Sequence, residues 1–206
     1  MTLRSKALAI VVTSTIVLAI ALYILARIII IESFIDLEQK YAQQDIERAV
    51  NIIRNEIAML NATNYDWSAW DDTYEFVNSR SEDYIDSNLL DETFQGSRFN
   101  HMAFIDAAGA IVFAKSYDFH EQREIPFPAL LKDYIKPGSP LVHHTSVESS
   151  VTGILMAGDM PLLFTSRPII TSDDQGPVRG ALVIARNLDD RMVTGYSAML
   201  QMDISV

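Results

Sequence analysis

Residues 101–117 read HMAFIDAAGAIVFAKSY, and their period decides the fold. His101 to Ile105 and Ala110 to Tyr117 alternate with a period of two, so each predicts a β-strand. Asp106-Ala107-Ala108-Gly109 joins them as a turn opened by Asp and closed by Gly. The same period returns at about Val151 to Ala157, Pro161 to Ile170 and Val178 to Arg186. Gly158-Asp159 predicts a tight hairpin between the first two of these, and Ser172 to Pro177 a wider one before the last. Pro126, Pro128, Pro137 and Pro140 mark the connection between the two strand groups, with a short helix at about Ala129 to Tyr134. The expectation is a five-stranded antiparallel sheet with a helical crossover.

Upstream of the strands the period is helical. No Gly or Pro interrupts Glu32 to Asn61, and Ile46, Val50, Ile53, Ile57 and Leu60 fall at spacings of 4, 3, 4 and 3. That spacing predicts an amphipathic stalk helix over 32–61 with a coiled-coil-like seam, used for packing on its own domain, for a homodimer, or for both in different portions. Phe34, Leu37 and Tyr41 form a stripe out of register with it, so pairing along the whole length requires a stutter. Asn61-Ala62-Thr63-Asn64 interrupts the helix. The next stretch, YDWSAWDDTYEFV (65–77), places Trp67, Trp70, Tyr74 and Val77 on one helical face with Asp71 beside it. Helices followed by an antiparallel sheet make an α+β domain over 62–190, with residues 191–206 expected to be helical.

The composition divides between two environments. The 206 residues are 49% hydrophobic and carry 16 basic against 27 acidic side chains, a net charge of −11. Residues 7–26 contain no charge, and the apolar run resumes after Arg27 through Ile31. About 20 such residues cross a bilayer, so 7–31 are expected to be a transmembrane helix. The rival, a cleaved secretory signal, has an apolar core of about 7 to 15 residues, which this run exceeds. Arg4 and Lys6 precede the span, and Glu32, Asp36 and Glu38 follow it. The positive-inside rule then puts residues 1–6 in the cytoplasm and the body outside, as a single-pass protein of the plasma or inner membrane. Without residues 1–31, which hold three bases and no acid, the body carries 13 basic and 27 acidic residues, or −14. An acidic body argues against nucleic acid as a partner. The absence of Cys removes disulfides, thiolate catalysis and zinc–thiolate sites.

The blocks Asp66-Trp67-Ser68-Ala69-Trp70-Asp71-Asp72-Thr73-Tyr74, Asn88-Leu89, Gly109-Ala110-Ile111-Val112, Tyr117-Asp118 and Gly176-Pro177-Val178-Arg179-Gly180, leading to Arg186-Asn187-Leu188-Asp189, resemble the fourth class of CHASE domains, the cyclase/histidine-kinase-associated sensory extracellular domains. The resemblance implies an extracytoplasmic PAS-like or Cache-like sensor. Such domains are usually held between two membrane spans ahead of a diguanylate cyclase, phosphodiesterase or histidine kinase. This chain departs from that layout by stopping at Val206 with neither a second span nor an output domain, as expected of either a sensor-region fragment or a free-standing anchored relative.

No catalytic site is expected. Asp71 and Asp72, adjacent on a helix, point about 100° apart and do not face each other across a glycosidic bond. His143-His144 are expected in solvent, without nearby carboxylates to complete a metal site. No Gly-rich phosphate loop or serine-nucleophile motif is present, and no cofactor or metal is implied. Binding is better supported. Leu182, Ile184 and Arg186 share one strand face, Leu163, Thr165 and Arg167 repeat the arrangement, and Phe113 and Tyr117 share a face of the second strand. A guanidinium on a buried face needs an anionic partner: Asp71 or Asp118 within the chain, or a ligand's carboxylate or phosphate. The aromatic face either docks its helix on the sheet or also lines a ligand cavity. The candidate ligand-binding residues are Trp67, Trp70, Asp71, Tyr74, Asn88, Tyr117, Asp118, Arg167 and Arg186. A sensory module for an unknown small molecule is the leading expectation; a protein-interaction or dimerisation module with a self-filled cavity is the alternative.

Overall fold

A computed structural model describes residues 3–201. The expected segment 1–6 begins, and the expected C-terminal helix 191–206 ends, on residues outside those described. The chain divides into two compact units, residues 1–49 and 50–206.

In the first unit, α1 (Leu3–Ser68) begins with a window that by length and composition can cross a membrane. The hydroxyls of Thr13, Ser14 and Thr15 donate to the carbonyls of Ala9 and Val11 at 2.8–2.9 Å. Back-bonding of this kind lets a hydroxyl sit in hydrocarbon without an unpaired donor.

The second unit holds the rest of α1, then α2 (Asp71–Ser79), α3 (Glu82–Asn88), α4 (Asp91–Ser97), β1 (His101–Asp106), β2 (Ile111–Asp118), β3 (Arg123–Ile125), α5 (Ala129–Tyr134), β4 (Val151–Ala157), β5 (Met160–Pro168), β6 (Gly180–Asn187) and α6 (Asp190–Leu200). The α+β reading holds, with six strands instead of five, in the order β3-β2-β1-β6-β5-β4 and antiparallel throughout. The additional strand, β3, is only Arg-Glu-Ile paired to Ser116–Asp118. Three residues held by backbone bonds leave no alternation to detect.

The centre of the sheet is buried on both sides. On one face Phe104, Leu163, Leu182 and Ile184 pack beneath α1 and α2 to α4, where Phe76 stacks on Tyr84 at 4.3 Å and meets Phe104 edge-on at 5.1 Å. On the other, Ala103, Ile105, Phe164 and Val183 pack beneath Leu131, Ile135 and Leu141. The acidic stretch after Val77 resolves into short helices, and α2, α3 and α4 each open with two carboxylates (Asp71 and Asp72, Glu82 and Asp83, Asp91 and Glu92). Carboxylates there complement the positive end of the helix dipole.

The helix expected to stop at Asn61 runs to Ser68. Asn disfavours helix interiors because its amide competes for backbone groups, but here the sheet occupies those amides. Asn64 Nδ2 donates to the carbonyls of Thr165 (3.1 Å) and Leu182 (3.0 Å). Asn61 Oδ1 accepts from Ser150 Oγ, Thr165 Oγ1 and Arg167 Nε at 2.8, 2.9 and 3.0 Å. Of the expected seam, Ile53, Ile57 and Leu60 pack on the core, while Ile46 and Val50 are exposed.

The true break falls at Ala69-Trp70. Ile170 N–H caps Ser68 O at 2.9 Å, Trp70 is extended (φ −127, ψ 131), and Asp71 and Ser172 exchange two hydrogen bonds of 3.0 and 3.1 Å. The expectation of one helix face for both tryptophans is therefore corrected: Trp67 lies in the last turn of α1, Trp70 precedes α2, and their rings meet edge to face at 5.9 Å. Contacts with the 170–172 segment, remote in sequence, override the local spacing.

Candidate functional site

Strand register sets Leu163 opposite Arg186, Thr165 opposite Ile184 and Arg167 opposite Leu182, so the two predicted rows form one face, the face under α1. Arg186 donates from Nη1 to Glu56 Oε2 at 2.8 Å. This corrects the candidate partners: Asp71 is spent on Ser172, and Asp118 Oδ1 accepts from the N–H groups of His120 (2.6 Å) and Glu121 (3.1 Å) in the turn after β2. Slight burial pulls the Asp118 carboxyl upward, but those two N–H groups and the charges of His120 and Arg123 outweigh it and leave it below its usual value.

Beside the Glu56–Arg186 pair is a cavity of about 240 Å³. Glu56, Met59, Leu60 and Thr63 of α1 form one wall, Gly96, Ser97 and Arg98 another, and Leu163 and Arg186 the floor. Arg98 is brought there as the left-handed residue (φ 57) that ends α4. The pair is largely sheltered, with side chains 17% and 24% exposed for Glu56 and Arg186. From α6, the Tyr196 hydroxyl is pushed well above its usual pKa, first by burial and then by the Glu56 carboxylate. One ion pair thus joins α1 to the sheet, with α6 at its side.

The remaining candidates lie elsewhere. Trp70 and Asn88 line an open groove of about 440 Å³ together with Asp72, Glu75 and Tyr84. Tyr74 is buried, donates to Pro177 O at 3.0 Å and carries the Arg179 guanidinium 3.7 Å above its ring. Tyr117 is buried and its hydroxyl accepts from Gln95 Nε2 at 2.5 Å. Arg167 sits 4.8 Å over the Tyr65 ring in a cleft with Glu148 and Asp174. The structure therefore brings the predicted aromatic residues and Arg186 to different places.

Sequence reasoning missed Glu56, Arg98 and His144. His144 is buried, not solvated: Nδ1 lies 2.8 Å from Ser149 Oγ and Nε2 3.0 Å from Ser166 Oγ. Ser166 gives its single proton to Leu141 O at 2.6 Å, so Nε2 must donate and Nδ1 must accept. The network holds a neutral imidazole, and burial, followed by the charges of Arg167 and His143, lowers its pKa to about 4. The two adjacent histidines carried no sign that one turns inward.

The domain is thus a helix-covered antiparallel sheet whose N-terminal helix is tied to it by an ion pair beside a small cavity. The chain belongs to the CHASE4 domain family, which matches residues 52–206. It is 28% identical over 169 residues to the methanogenesis regulatory histidine kinase FilI of Methanothrix harundinacea (strain 6Ac), covering 82% of this chain and 19% of the kinase. This chain thus spans about a fifth of that relative's length. Among solved structures, a domain ascribed to a sensory box/GGDEF family protein of Vibrio parahaemolyticus shares the fold at TM-score 0.55 and 15% identity, over 77% of this chain and 63% of that one. The extracellular domain ascribed to the histidine kinase vpHK1S-Z8 does so at TM-score 0.51 and 14% identity, over 77% and 60%.

Proposed function

We propose that the chain is the extracytoplasmic signal-input module of a membrane-bound signal-transduction protein, anchored by residues 7–31. In this reading a small ligand binds residues 50–206 and biases α1, the chain itself performs no catalytic step, and output belongs to a kinase or GGDEF-type domain. The observation that carries it is the Glu56–Arg186 pair. Glu56 belongs to the same helix as the apolar window, so any occupant of the cavity that alters the pair acts on that helix directly. A ligand moves such an equilibrium only by binding one arrangement better than the other.

Exposed Ile46 and Val50, which continue the seam, favour a further element: homodimerisation through α1. The chain lacks Cys, so Ile46→Cys introduces a unique thiol. In vesicles the full-length variant is expected to form a disulfide-linked dimer on mild oxidation, and adding Arg186→Gln is expected to change the cross-linking rate severalfold. A rate indifferent to Arg186 would overturn transmission through α1, and absence of cross-linking would overturn the dimer. The orientation is tested separately. Glu148→Cys, at an exposed position, is expected to react with a membrane-impermeant maleimide on intact cells; labelling only after lysis would place the domain inside.

A further inference from the structure

The cavity beside Glu56 has its own chemistry. Its charged lining is Arg98, Arg186 and Glu56, a local excess of one positive charge in a body that is otherwise strongly acidic. Arg186 is already neutralised by Glu56 at 2.8 Å. Arg98 makes no hydrogen bond or ion pair among the described residues and is held at the cavity by the backbone that ends α4. Met59, Leu60 and Leu163 supply an apolar wall, and Thr63 and Ser97 supply hydroxyls. A cavity of about 240 Å³ limits the occupant to a small molecule.

We propose that this cavity binds a small aliphatic monocarboxylate, whose carboxylate engages Arg98 and displaces Glu56 from Arg186. The proposal rests on the sensory reading above and names its ligand class. Arg186 already holds a carboxylate on α1, so a second carboxylate competes for the same planar fork with the same geometry. The apolar wall of Met59, Leu60 and Leu163 accommodates a short carbon chain, which inorganic phosphate lacks. Displacement frees Glu56, and with it the turn of α1 that holds Leu60 and Ile57 on the sheet.

The test uses the full chain in nanodiscs with butyrate, the neutral isostere butyramide and inorganic phosphate as probes, read by calorimetry and thermal unfolding. Butyrate is expected to bind and raise Tm, and butyramide and phosphate to do neither. Arg98→Gln, at an exposed and unpaired residue, is expected to weaken butyrate binding at least tenfold with the unliganded Tm unchanged. Glu56→Gln removes the internal competitor and is expected to tighten butyrate binding about tenfold, an effect opposite to that of a lost structural contact. Equal binding of butyramide, preferential binding of phosphate, or no butyrate binding at all overturns the proposal. So does wild-type affinity in Arg98→Gln, or unchanged or weakened affinity in Glu56→Gln. The cross-linking response to Arg186 is independent of these probes, so loss of the carboxylate inference alone leaves the sensory reading standing.

Discussion

Gly180→Ala is expected to destabilise residues 50–206 by more than ~4 kcal/mol, a large part of what holds a typical domain folded. Gly180 opens β6 with φ 151 and pairs with Asp106 on β1. A Cβ there would collide with the Ile105 carbonyl oxygen and lie 2.9 Å from Ile105 C and 3.0 Å from Asp106 C. All three atoms are backbone of the central strand pair, which has no flexible end to swing aside. Retreat is blocked on the other side, where Gly180 O accepts from Ile169 N–H at 3.0 Å and Arg179 N–H donates to Ile169 O at 3.0 Å. The left-handed φ alone costs a non-glycine residue about 1–3 kcal/mol. With the clash added, the loss exceeds ~4 kcal/mol, against the roughly 5–15 kcal/mol that stabilise a typical domain. Urea unfolding followed by circular dichroism checks this. Gly195→Ala on α6, where a Cβ meets nothing within 4 Å, serves as the control and is expected to gain about 0.5–1 kcal/mol. A Gly180→Ala chain as stable as wild type would show that the β1–β6 junction yields.

The second large effect is acid destabilisation through His144. Its pKa falls from 6.5 to about 4 in the folded chain. Between those values the unfolded chain binds the proton and the folded chain does not, so stability falls as pH is lowered through the window and is unaffected above it. At about 1.4 kcal/mol per pKa unit the loss reaches ~3 kcal/mol near pH 4. Buried His101, between Ser116 Oγ and Asn187 Oδ1, is shifted in the same direction by burial. His144→Gln is expected to flatten the stability profile between pH 6.5 and 4 relative to wild type, with His101 accounting for part of the remaining slope. A variant whose profile parallels wild type across that window would refute the assignment.

What could be read in advance follows from how local each cause is. The strands of 101–117 and 151–186 declare themselves because alternation is carried by the residues of the strand itself. The crossover helix is framed by its prolines. Arg167 and Arg186 were legible as charges ending apolar rows, because parity is also local. The partner of Arg186 was not, since Glu56 lies 130 positions away and looks like any solvated helical carboxylate. The end of α1 is hidden for the same reason: Asn61 and Asn64 make a local case for a break, and the sheet that overrules it is more than 80 residues downstream. The cavity depends on Arg98 adopting φ 57 at the end of a seven-residue helix, a conformation that leaves no mark in hydropathy.

The strand order has a consequence for how the domain is made. β1, β2 and β3 follow one another directly, as do β4, β5 and β6, but the two halves of the sheet are joined along the β1–β6 ladder, from His101 opposite Ala185 to Asp106 opposite Gly180. A nascent chain that has released β1 must wait, with one edge of that strand unpaired, until β6 emerges from the ribosome. Loop closure over such a distance is slow, and an open strand edge invites association with other chains. Truncation before Gly180 leaves that edge without its partner, so an expressible piece of this domain must include β6.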